Sequence, residues 1–584
     1  MKKPGSFLKR NFGKILLTLL ALIFLMGGLV VFRLLMKVGN IKYIYNYTVS
    51  TRGSLPVEQS LSNAQGADQL VANATSNTNP NNLEITSSLY VDGELVTDYT
   101  REDPIYFSTD LLNNFTQLEG IITFRGNYYR NLQSYGTASI LEQAFDRNYW
   151  SFSTGKVLKS DGVNYWSGNG WTGQPLVVKW DDETKQIMNL YEEAKKKEDL
   201  VEVIYPGMDG FIHFLDLDTG KPTRQAINVG MTFKGTASIH PGGIPMVICG
   251  SGDAQTGMYG ESISPRVYIY SLIDGTLLYE FGANDEIAPR VWHAYDSSPI
   301  IHAETDTLIY PGENGVLYTL KLNTQYDPEK GTLSINPSEF IQYTYSAARS
   351  SESKYTWGSE SSATVWGSYL FMGDNGGIVS CIDLNTMKMV WACNVEEDVN
   401  STPILEEDEN GNRFLYVATT LKFNTNEHNI GEAAIFKLNA MTGEIVWKKP
   451  FEVHTVKGLA GGVLSTGILG KGVISDYVIY SVSKTPSIDS GYIIALNKET
   501  GEEIWRHDLP MYSWSSGDVI YTEDGKAYLI QGCQNGDLLL MDAATGEVLD
   551  KMNFGTGIEA TPAIFDNKLV VGTRNEKIIG VTIK

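Results

Sequence analysis

A short hairpin unit that recurs along the chain constrains its fold more than any other sequence feature. In the clearest copy, Gly491–Leu509 (GYIIALNKETGEEIWRHDL), two runs of β-favouring residues flank the turn Asn497–Gly501. Asn497 can hydrogen-bond its own backbone two residues on, and Gly501 can take the positive φ that closes a hairpin with a bulge. The stretch therefore predicts a pair of antiparallel strands.

Similar hairpins recur at a regular distance. The other copies are Phe211–Arg224, Tyr268–Tyr279, Ser380–Trp391, Phe436–Trp447 and Leu539–Asp550. The turn glycines align, with Met387 at the glycine position of one copy: Gly220, Gly275, Gly443, Gly501 and Gly546. Tyr318–Thr324 fills the one gap of double length. A period of about 45–58 residues, with about four short strands in each repeat, is typical of a β-propeller.

The repeat also resembles a known family. The pattern Ala495-x-Asn497-x-x-Thr500-Gly501-Glu502-x-x-Trp505 is similar to the tryptophan-docking motif of quinoprotein-type (PQQ-like) eight-bladed propellers. The resemblance implies that the tryptophan packs against the neighbouring blade. The motif positions are held by Trp391, Trp447 and Trp505, with Tyr279 as an aromatic substitute. Arg224 and Asp550 depart from the motif, so weaker blade contacts are expected there.

The extent of the resemblance is large. It covers about 470 residues, from near Phe124 to the end of the sequence, and Thr123–Asn127 (TFRGN) is similar to a lead-in found before the first blade in many relatives. The family includes both enzymes and non-catalytic scaffolds, so the motif indicates the fold and leaves the function open.

Eight inner strands are predicted from short stretches of small residues, often with proline, which suit the crowded centre of a ring. They start at Gly173–Pro175, Gly235–Ala237, Ser297–Pro299, Ser361–Ala363, Ser401–Pro403, Ser465–Gly467, Ser515–Gly517 and Ala560–Pro562. After the eighth start only two strand-like stretches remain, so the last blade lacks an outer strand. We predict that Asn148–Thr154 supplies it and pairs beside Lys577–Ile583, which closes the ring and removes an exposed edge.

The amino-terminal region predicts a membrane anchor. Five basic residues in Met1–Lys14 precede the uncharged run Ile15–Phe32, whose transfer into a bilayer is favourable by about 4–8 kcal/mol. A cleaved signal peptide is the alternative, although no small-x-small cleavage site follows. We expect a cytoplasmic basic tail (1–14), a transmembrane helix (15–36), a flexible extracytoplasmic tether (37–82), a small β-containing lead-in (83–147) and a propeller (148–584). The resulting fold class is all-β, an eight-bladed propeller with an N-terminal transmembrane helix and tether.

Charge and cysteine content exclude some functions. The net charge of −22 argues against a nucleic-acid binder, which needs a basic face. The four cysteines include no C-x-x-C pattern, so no structural zinc site is expected. Cys381 and Cys393 flank one hairpin turn. They either pair across it or, with Cys249 and Cys533, serve as small buried apolar residues.

The residues just before the inner strands are the candidate binding positions, because in this fold they surround the mouth of the central channel. By alignment they are Thr172, Lys234, Asp296, Glu360, Asn400, Leu464, Trp514 and Glu559. Nearby in the sequence are Trp171, Arg290, Trp292, His293, Trp357 and Lys457. Carboxylates, an amide, cations and tryptophans together predict a polar funnel lined by aromatic rings.

A quinone site is one interpretation of this funnel. Pyrroloquinoline quinone needs a flat aromatic floor, a carboxylate–amide Ca²⁺ shell and a cation near its carbonyl oxygens. These residue types are present, but their order departs from the family's catalytic pattern, and the adjacent cysteine pair of quinoprotein alcohol dehydrogenases is absent. No cofactor, catalytic residue or metal ligand is therefore expected, and PQQ with Ca²⁺ is kept as the alternative.

The predicted function is that of a membrane-anchored extracytoplasmic scaffold that binds or assembles proteins at the cell envelope. The non-catalytic relatives include an outer-membrane-protein assembly lipoprotein of Gram-negative bacteria, from which this chain departs in its anchor and long tether. A PQQ/Ca-dependent oxidoreductase is the first alternative. A cell-wall or carbohydrate-binding receptor is the second, suggested by the tryptophans near the funnel.

Overall fold

The computed structural model describes residues 71–108, 111, 115–170, 173–256, 262–290, 292–351, 358–456 and 459–584. The predicted basic tail, the transmembrane helix and most of the tether lie outside the described residues, as do Trp171, Thr172, Trp357 and Lys457. None of the helices in the described part of the chain has the length and apolar character that a bilayer crossing requires.

The described residues before blade 1 contain six short strands and a 3₁₀ turn. The turn is Pro80–Leu83, and the strands are β1 (Thr86–Val91), β2 (Glu94–Val96), β3 (Glu119–Ile121), β4 (Trp150–Ser153), β5 (Lys156–Leu158) and β6 (Tyr165–Ser167). β5 and β6 pair with each other as a separate hairpin.

The remaining strands form antiparallel sheets, numbered as blades in chain order. Blade 1 holds β7 (Leu176–Lys179), β8 (Val201–Pro206), β9 (Phe211–Asp216) and β10 (Ile227–Asn228), with helices α1 (Asp182–Ile187) and α2 (Glu192–Lys195) inserted between β7 and β8. Blade 2 holds β11 (Ser238–Ile239), β12 (Met246–Gly250), β15 (Val267–Ser271) and β16 (Leu277–Phe281), with the inserted hairpin β13 (Gln255–Thr256) and β14 (Ser262–Ile263).

Blades 3 and 4 continue this arrangement. Blade 3 holds β17 (Ile300–His302), β18 (Thr307–Pro311), β19 (Val316–Lys321) and β22 (Ser338–Ser346), with the inserted hairpin β20 (Gln325–Asp327) and β21 (Thr332–Ser334). A 3₁₀ turn, Ala348–Ser351, follows. Blade 4 holds β23 (Thr364–Trp366), β24 (Tyr369–Gly373), β25 (Ile378–Asp383) and β26 (Lys388–Asn394).

Blades 5 to 8 have the same four-stranded order. Blade 5 holds β27 (Ile404–Glu407), β28 (Arg413–Ala418), β29 (Ile430–Asn439) and β30 (Ile445–His454), and blade 6 holds β31 (Ile468–Leu469), β32 (Tyr477–Ser483), β33 (Gly491–Asn497) and β34 (Glu503–Leu509), with a 3₁₀ turn at Gly472–Ile474. Blade 7 holds β35 (Asp518–Tyr521), β36 (Ala527–Gly532), β37 (Asp537–Asp542) and β38 (Val548–Asn553). Blade 8 holds β39 (Ala563–Phe565), β40 (Lys568–Thr573) and β41 (Lys577–Thr582), with β4 as its fourth strand. The predicted all-β, eight-bladed propeller is confirmed, and the predicted starts of the inner strands precede the first strands of the eight blades.

The predicted ring closure is also confirmed. β4 pairs antiparallel with β41, with Trp150 opposite Gly580 and Ser153 opposite Lys577. Blade 8 therefore takes its outer strand from residues that precede blade 1 in the chain. Trp150 and Phe152 share one face of this strand because side chains alternate along it, and both pack with the core between blades 8 and 1.

A belt of hydrogen bonds joins the inner strands. Each inner strand is preceded by a three-residue stretch of small residues. The backbone N–H of the middle residue of one stretch donates a hydrogen bond to the side-chain hydroxyl of the middle residue in the stretch of the next blade. The donor–acceptor pairs are Gln174–Thr236, Ser298–Ser362, Ser362–Thr402, Thr402–Thr466 and Thr466–Ser516, at 2.6–3.3 Å. The small residues at these positions thus satisfy backbone groups that convergence at the axis would otherwise leave unpaired.

The lead-in segment Thr123–Arg130 fills the ring beside this belt. Arg125 is fully buried, forms an ion pair with Asp518 and donates to the Thr466 carbonyl at 2.9 Å. Arg130 is also fully buried and donates to the Ala363 carbonyl at 3.0 Å. The Thr123–Arg130 segment therefore connects blades 4, 6 and 7 through two arginines at the centre of the propeller.

The docking tryptophans join neighbouring blades through one repeated contact. Each indole N–H donates to a carbonyl in the hairpin turn of the next blade: Trp391 to Ala440 at 3.0 Å, Trp447 to Lys498 at 2.9 Å and Trp505 to Ala543 at 3.1 Å. Each ring also covers the glycine of that turn. A Cβ added to Gly443, Gly501 or Gly546 would lie 2.5–2.9 Å from the indole.

Two positions that depart from the motif keep polar contacts between elements. Arg224 donates to the Leu272 carbonyl of blade 2 at 2.6 Å, as a docking indole would, and its guanidinium pairs with the buried Glu202 at 2.5 Å. Asp550 accepts from the backbone N–H of Phe145 at 2.8 Å and from Arg147 at 2.6 Å. Charged groups therefore replace the aromatic contact at these two positions.

The cysteines are all buried and carry free thiols. Cys381 lies opposite Trp391 and Cys393 lies opposite Val379, so the two cysteines are not paired across the hairpin. Burial raises the pKa of each thiol, and Cys393 reaches about 12. These residues act as small apolar core side chains.

Candidate functional site

The channel mouth is the set of predicted rim residues that the structure describes: Lys234, Asp296, Glu360, Asn400, Leu464, Trp514 and Glu559. All seven are buried, with at most 4% of their surface exposed. These residues are therefore covered by neighbouring groups, and their role in binding stays a prediction. Trp292 and His293, beside the mouth, are half-buried.

One side of the mouth is a chain of charged and amide groups. Arg290 donates to Glu313 at 2.9 Å and to the side-chain oxygen of Asn375 at 2.7 Å. Asn375 donates in turn to Asp398 at 3.0 Å, and Lys422 pairs with the same carboxylate at 2.9 Å. This network crosses from blade 3 to blade 5 and holds its members in fixed positions.

Glu313 and Glu360 form a carboxyl pair at this side. Both are fully buried, and each has one carboxyl oxygen without a hydrogen-bond partner among the described residues. Burial raises the pKa of both groups; Glu313 raises that of Glu360 further, while Arg290 opposes the shift at each. Two carboxyl groups in one dry site cannot readily both ionise, so the pair is expected to retain a proton where isolated glutamates are charged.

A cation–aromatic group occupies the part of the mouth formed by the β5–β6 hairpin. Trp166 of β6 is buried, with the Lys159 ammonium 3.5 Å and the Lys234 ammonium 4.4 Å from its ring centre. Burial, and then repulsion by Lys234, lowers the pKa of Lys159 to about 8. Lys234 also donates to the Gly252 carbonyl at 2.8 Å and lies 3.9 Å from Asp253.

The opposite side of the mouth is apolar. Trp166 packs there with Met208, Leu464, Tyr512 and Trp514, and this cluster joins the β5–β6 hairpin to blades 1, 6 and 7. The Lys484 ammonium lies 3.8 Å from the centre of the Tyr512 ring. The mouth is thus filled by the chain's own side chains, which explains why the predicted rim residues are buried.

Several mouth residues were not predicted from the sequence. Trp166 and Lys159 belong to the hairpin before blade 1, and Glu313, Asn375 and Met208 belong to turns between second and third strands. The turns carry a visible signal, a recurring Gly-x-x-Gly pattern such as Gly207–Gly210 and Gly312–Gly315. The Trp166 hairpin has no such repeat, so only its packing reveals its place.

The described residues do not fit a quinone with Ca²⁺. Among the described residues, the faces of the Trp166 ring are approached by two ammonium groups and packed by neighbouring side chains, so this ring offers no free flat face to a quinone. No group of three or more His, Cys, Asp or Glu side chains in the described ranges is arranged to hold a metal ion. Glu313 and Glu360 are also directed toward each other rather than arranged as a charged ligand shell.

The fold is an eight-bladed propeller, and sequence comparison relates part of the chain to the PQQ-like propellers. The family model described as "Outer membrane protein assembly factor BamB" matches residues 431–549 and 489–584. Among curated proteins, the chain is similar to the outer membrane protein assembly factors BamB of Kangiella koreensis and Yersinia pestis. They are 21% identical over 37% of this chain and 22% identical over 32%, respectively. These alignments span about half the length of each relative, 48% and 56%.

Solved structures with similar folds include both scaffolds and enzymes. BamB from Moraxella catarrhalis is 14% identical with a TM-score of 0.43, over 70% of this chain and 96% of that chain. Quinohemoprotein alcohol dehydrogenase from Comamonas testosteroni is 13% identical with a TM-score of 0.39, over 81% of this chain and 82% of that chain. In sequence, the chain resembles BamB-type PQQ-like propellers over part of its length.

Proposed function

We propose that this protein is a membrane-anchored, extracytoplasmic scaffold that binds or assembles proteins at the cell envelope. The observation that carries the proposal is the closed centre of the ring. Arg125 and Arg130 fill it beside the inner-strand belt, and Trp166 fills the mouth. The outer surfaces of the blades are the contact surfaces in this proposal, and the curated relatives are named as outer membrane protein assembly factors.

The location is part of this proposal. The uncharged run Ile15–Phe32 behind five basic residues favours an anchor with a cytoplasmic amino terminus and an external propeller. Protease added outside intact cells should digest the propeller and leave a short protected fragment. Protection of the whole propeller would overturn the external location.

Partner binding is tested by site-specific photo-cross-linking of the full-length protein in intact cells. Val446 of β30 and Ile504 of β34 are exposed aliphatic side chains on the outer strands of blades 5 and 6, within the region that matches the assembly-factor family model. A photoreactive residue at either position should give a discrete adduct with an envelope protein. Leu141, exposed outside the blades, is the control position. Adducts no stronger at blades 5 and 6 than at Leu141 would contradict a partner surface there.

The alternative enzyme function has a direct test. The purified full-length protein is titrated with pyrroloquinoline quinone in the presence of Ca²⁺, and absorbance and calorimetry report uptake. We expect no saturable uptake because Trp166 and its two lysines occupy the centre of the mouth. Stoichiometric uptake, with alcohol-dependent dye reduction, would replace the scaffold proposal with the oxidoreductase.

A further inference from the structure

A cavity of about 460 Å³ lies beside the channel mouth at blades 2 and 3. Its described lining includes Asp253, Ser262, Ser264, Asn284, Trp292 and His293. Pockets that hold small ligands are typically about 300–1,000 Å³, so this cavity is large enough for a small ligand. It adjoins the channel mouth, since the Lys234 ammonium lies 5.9 Å from the centre of the Trp292 ring and 3.9 Å from Asp253.

The cavity has one large aromatic surface and a polar atom that lacks a partner. Trp292 is half-buried, so part of its ring faces accessible space. The buried Nδ1 of the adjacent His293 has no hydrogen-bond partner among the described residues. A buried polar atom without a partner is costly in a native protein, and a hydroxyl group of a bound ligand would satisfy it.

The remaining walls carry short polar groups at different depths. Asp253 is buried; its Oδ1 accepts from the Ala254 N–H at 2.8 Å, while its Oδ2 is 3.9 Å from Lys234. Asn284 and Ser262 are exposed at the outside. The backbone N–H of Asn284, at a φ of 51°, donates to the Ser264 hydroxyl at 3.3 Å, which ties this turn to the segment that carries Ser262.

We infer that this cavity binds a pyranose unit of a neutral or N-acetylated glycan. A sugar ring presents an apolar face, which fits the Trp292 indole, and an edge of hydroxyl groups, which fits Asp253, Asn284 and His293. An apolar peptide side chain fits less well because it would offer no hydrogen-bonding group to Asp253, Asn284 and His293. A polyanionic glycan is disfavoured by the chain's net charge of −22.

The test measures sugar binding by the full-length protein in a detergent that has no sugar head group. Triacetylchitotriose and cellotriose are titrated by isothermal calorimetry, with trigalacturonate as the anionic comparison. At least one neutral sugar should bind with 1:1 stoichiometry. Trp292→Ala should weaken that binding at least about tenfold, a loss of about 1.4 kcal/mol, and Trp292→Phe should retain most of it.

Two further variants separate the site from general effects on folding. Asn284→Gly removes an exposed amide while keeping a residue that tolerates positive φ, and it should weaken binding without lowering the thermal midpoint. Tyr191→Ala, at an exposed aromatic ring beside α2 and away from the cavity, should leave affinity unchanged.

Three results would overturn the inference: no binding of either neutral sugar, preferential binding of trigalacturonate, or neutral-sugar binding that Trp292→Ala leaves intact. The inference goes beyond the scaffold proposal and fails independently of it. Loss of sugar binding with persistent cross-linking at blades 5 and 6 would refute only the glycan site, and the reverse result would refute only the partner surface.

Discussion

The indole of Trp150 lies directly over Gly220, and its ring N–H donates to the Leu217 carbonyl at 2.8 Å. Trp150 belongs to the outer strand of blade 8 and Gly220 to the hairpin turn of blade 1. The contact is the same one that Trp391, Trp447 and Trp505 make with the blades that follow them. The ring is therefore closed by the same docking contact that joins its internal blades.

Gly220→Ala should destabilise the protein more than Gly275→Ala. Both glycines have positive φ, 66° and 79°, so both variants carry the backbone cost of about 1–2 kcal/mol. A Cβ at Gly220 would also overlap the Trp150 ring, while one at Gly275 would make only ordinary contacts at 3.5 Å or more. The overlap should add about 1–3 kcal/mol. Denaturant midpoints measure the difference, and equal midpoints for the two variants would contradict the closing contact.

Trp505→Ala should lower the free energy of unfolding by about 3–5 kcal/mol, as other core aromatic truncations do. Trp505 is 9% exposed, and its loss would empty the space over Gly546 and leave the Ala543 carbonyl without its donor. Ile504→Ala is the matched control because Ile504 is the exposed neighbour on the same strand. Chemical denaturation should show a large change for Trp505 alone; similar small changes in both would mean that the docking contact contributes little.

Arg224→Met should cost about 3–5 kcal/mol because it leaves the Glu202 carboxylate buried without its cation. The double variant Arg224→Met with Glu202→Gln should recover part of this loss, since the amide oxygen can still accept from Trp180 and the amide N–H can donate to the hydroxyl of Thr223, the two groups that donate to Glu202. Arg506→Met, which removes the more exposed pair with Glu503, should cost under about 1 kcal/mol. If the double variant recovers none of the lost free energy of unfolding, the broken ion pair is not the cause of the loss in Arg224→Met.

The Glu313–Glu360 pair should make stability fall as pH rises. The folded-state pKa of both groups is raised above the ordinary glutamate value of 4.5. The folded chain therefore binds more protons than the unfolded chain from about pH 4.5 up to the raised values. The stabilisation from the Glu313–Glu360 pair is fully present below that pH window and is lost as the pH rises through it. The loss is about 1.4 kcal/mol for each pH unit by which the folded-state pKa exceeds the unfolded-state pKa.

Glu360→Gln should reduce this pH dependence, because it removes the titration of Glu360 itself while Glu313 keeps its ion pair with Arg290. Denaturant midpoints at pH 5 and pH 8 should differ less in Glu360→Gln than in the natural protein. Glu547→Gln, at an exposed glutamate, should leave the difference unchanged. An unaltered difference in Glu360→Gln would assign the pH dependence to other groups.

The repeat determines the blades from sequence alone. Residues that set hairpin turns and strand alternation act over a few positions, so Asn497, Gly501 and Trp505 predict a hairpin and a docking ring directly. The missing outer strand of blade 8 was predictable by the same logic, because a repeat count leaves one strand short and an unpaired edge is unfavourable. The two buried arginines of the Thr123–Arg130 segment could not be given their roles, since the Thr466 and Ala363 carbonyls to which they donate lie more than 200 residues away.

The state of the channel mouth was decided only by the tertiary structure. Lys234, Glu360 and Trp514 occupy the predicted positions before inner strands, but whether these positions are open depends on what packs over them. That packing comes from Trp166, a residue of a non-repeating hairpin, and from turn residues such as Glu313. Local sequence patterns determine which strands form, whereas long-range packing determines which polar groups are dehydrated and which remain accessible to a ligand.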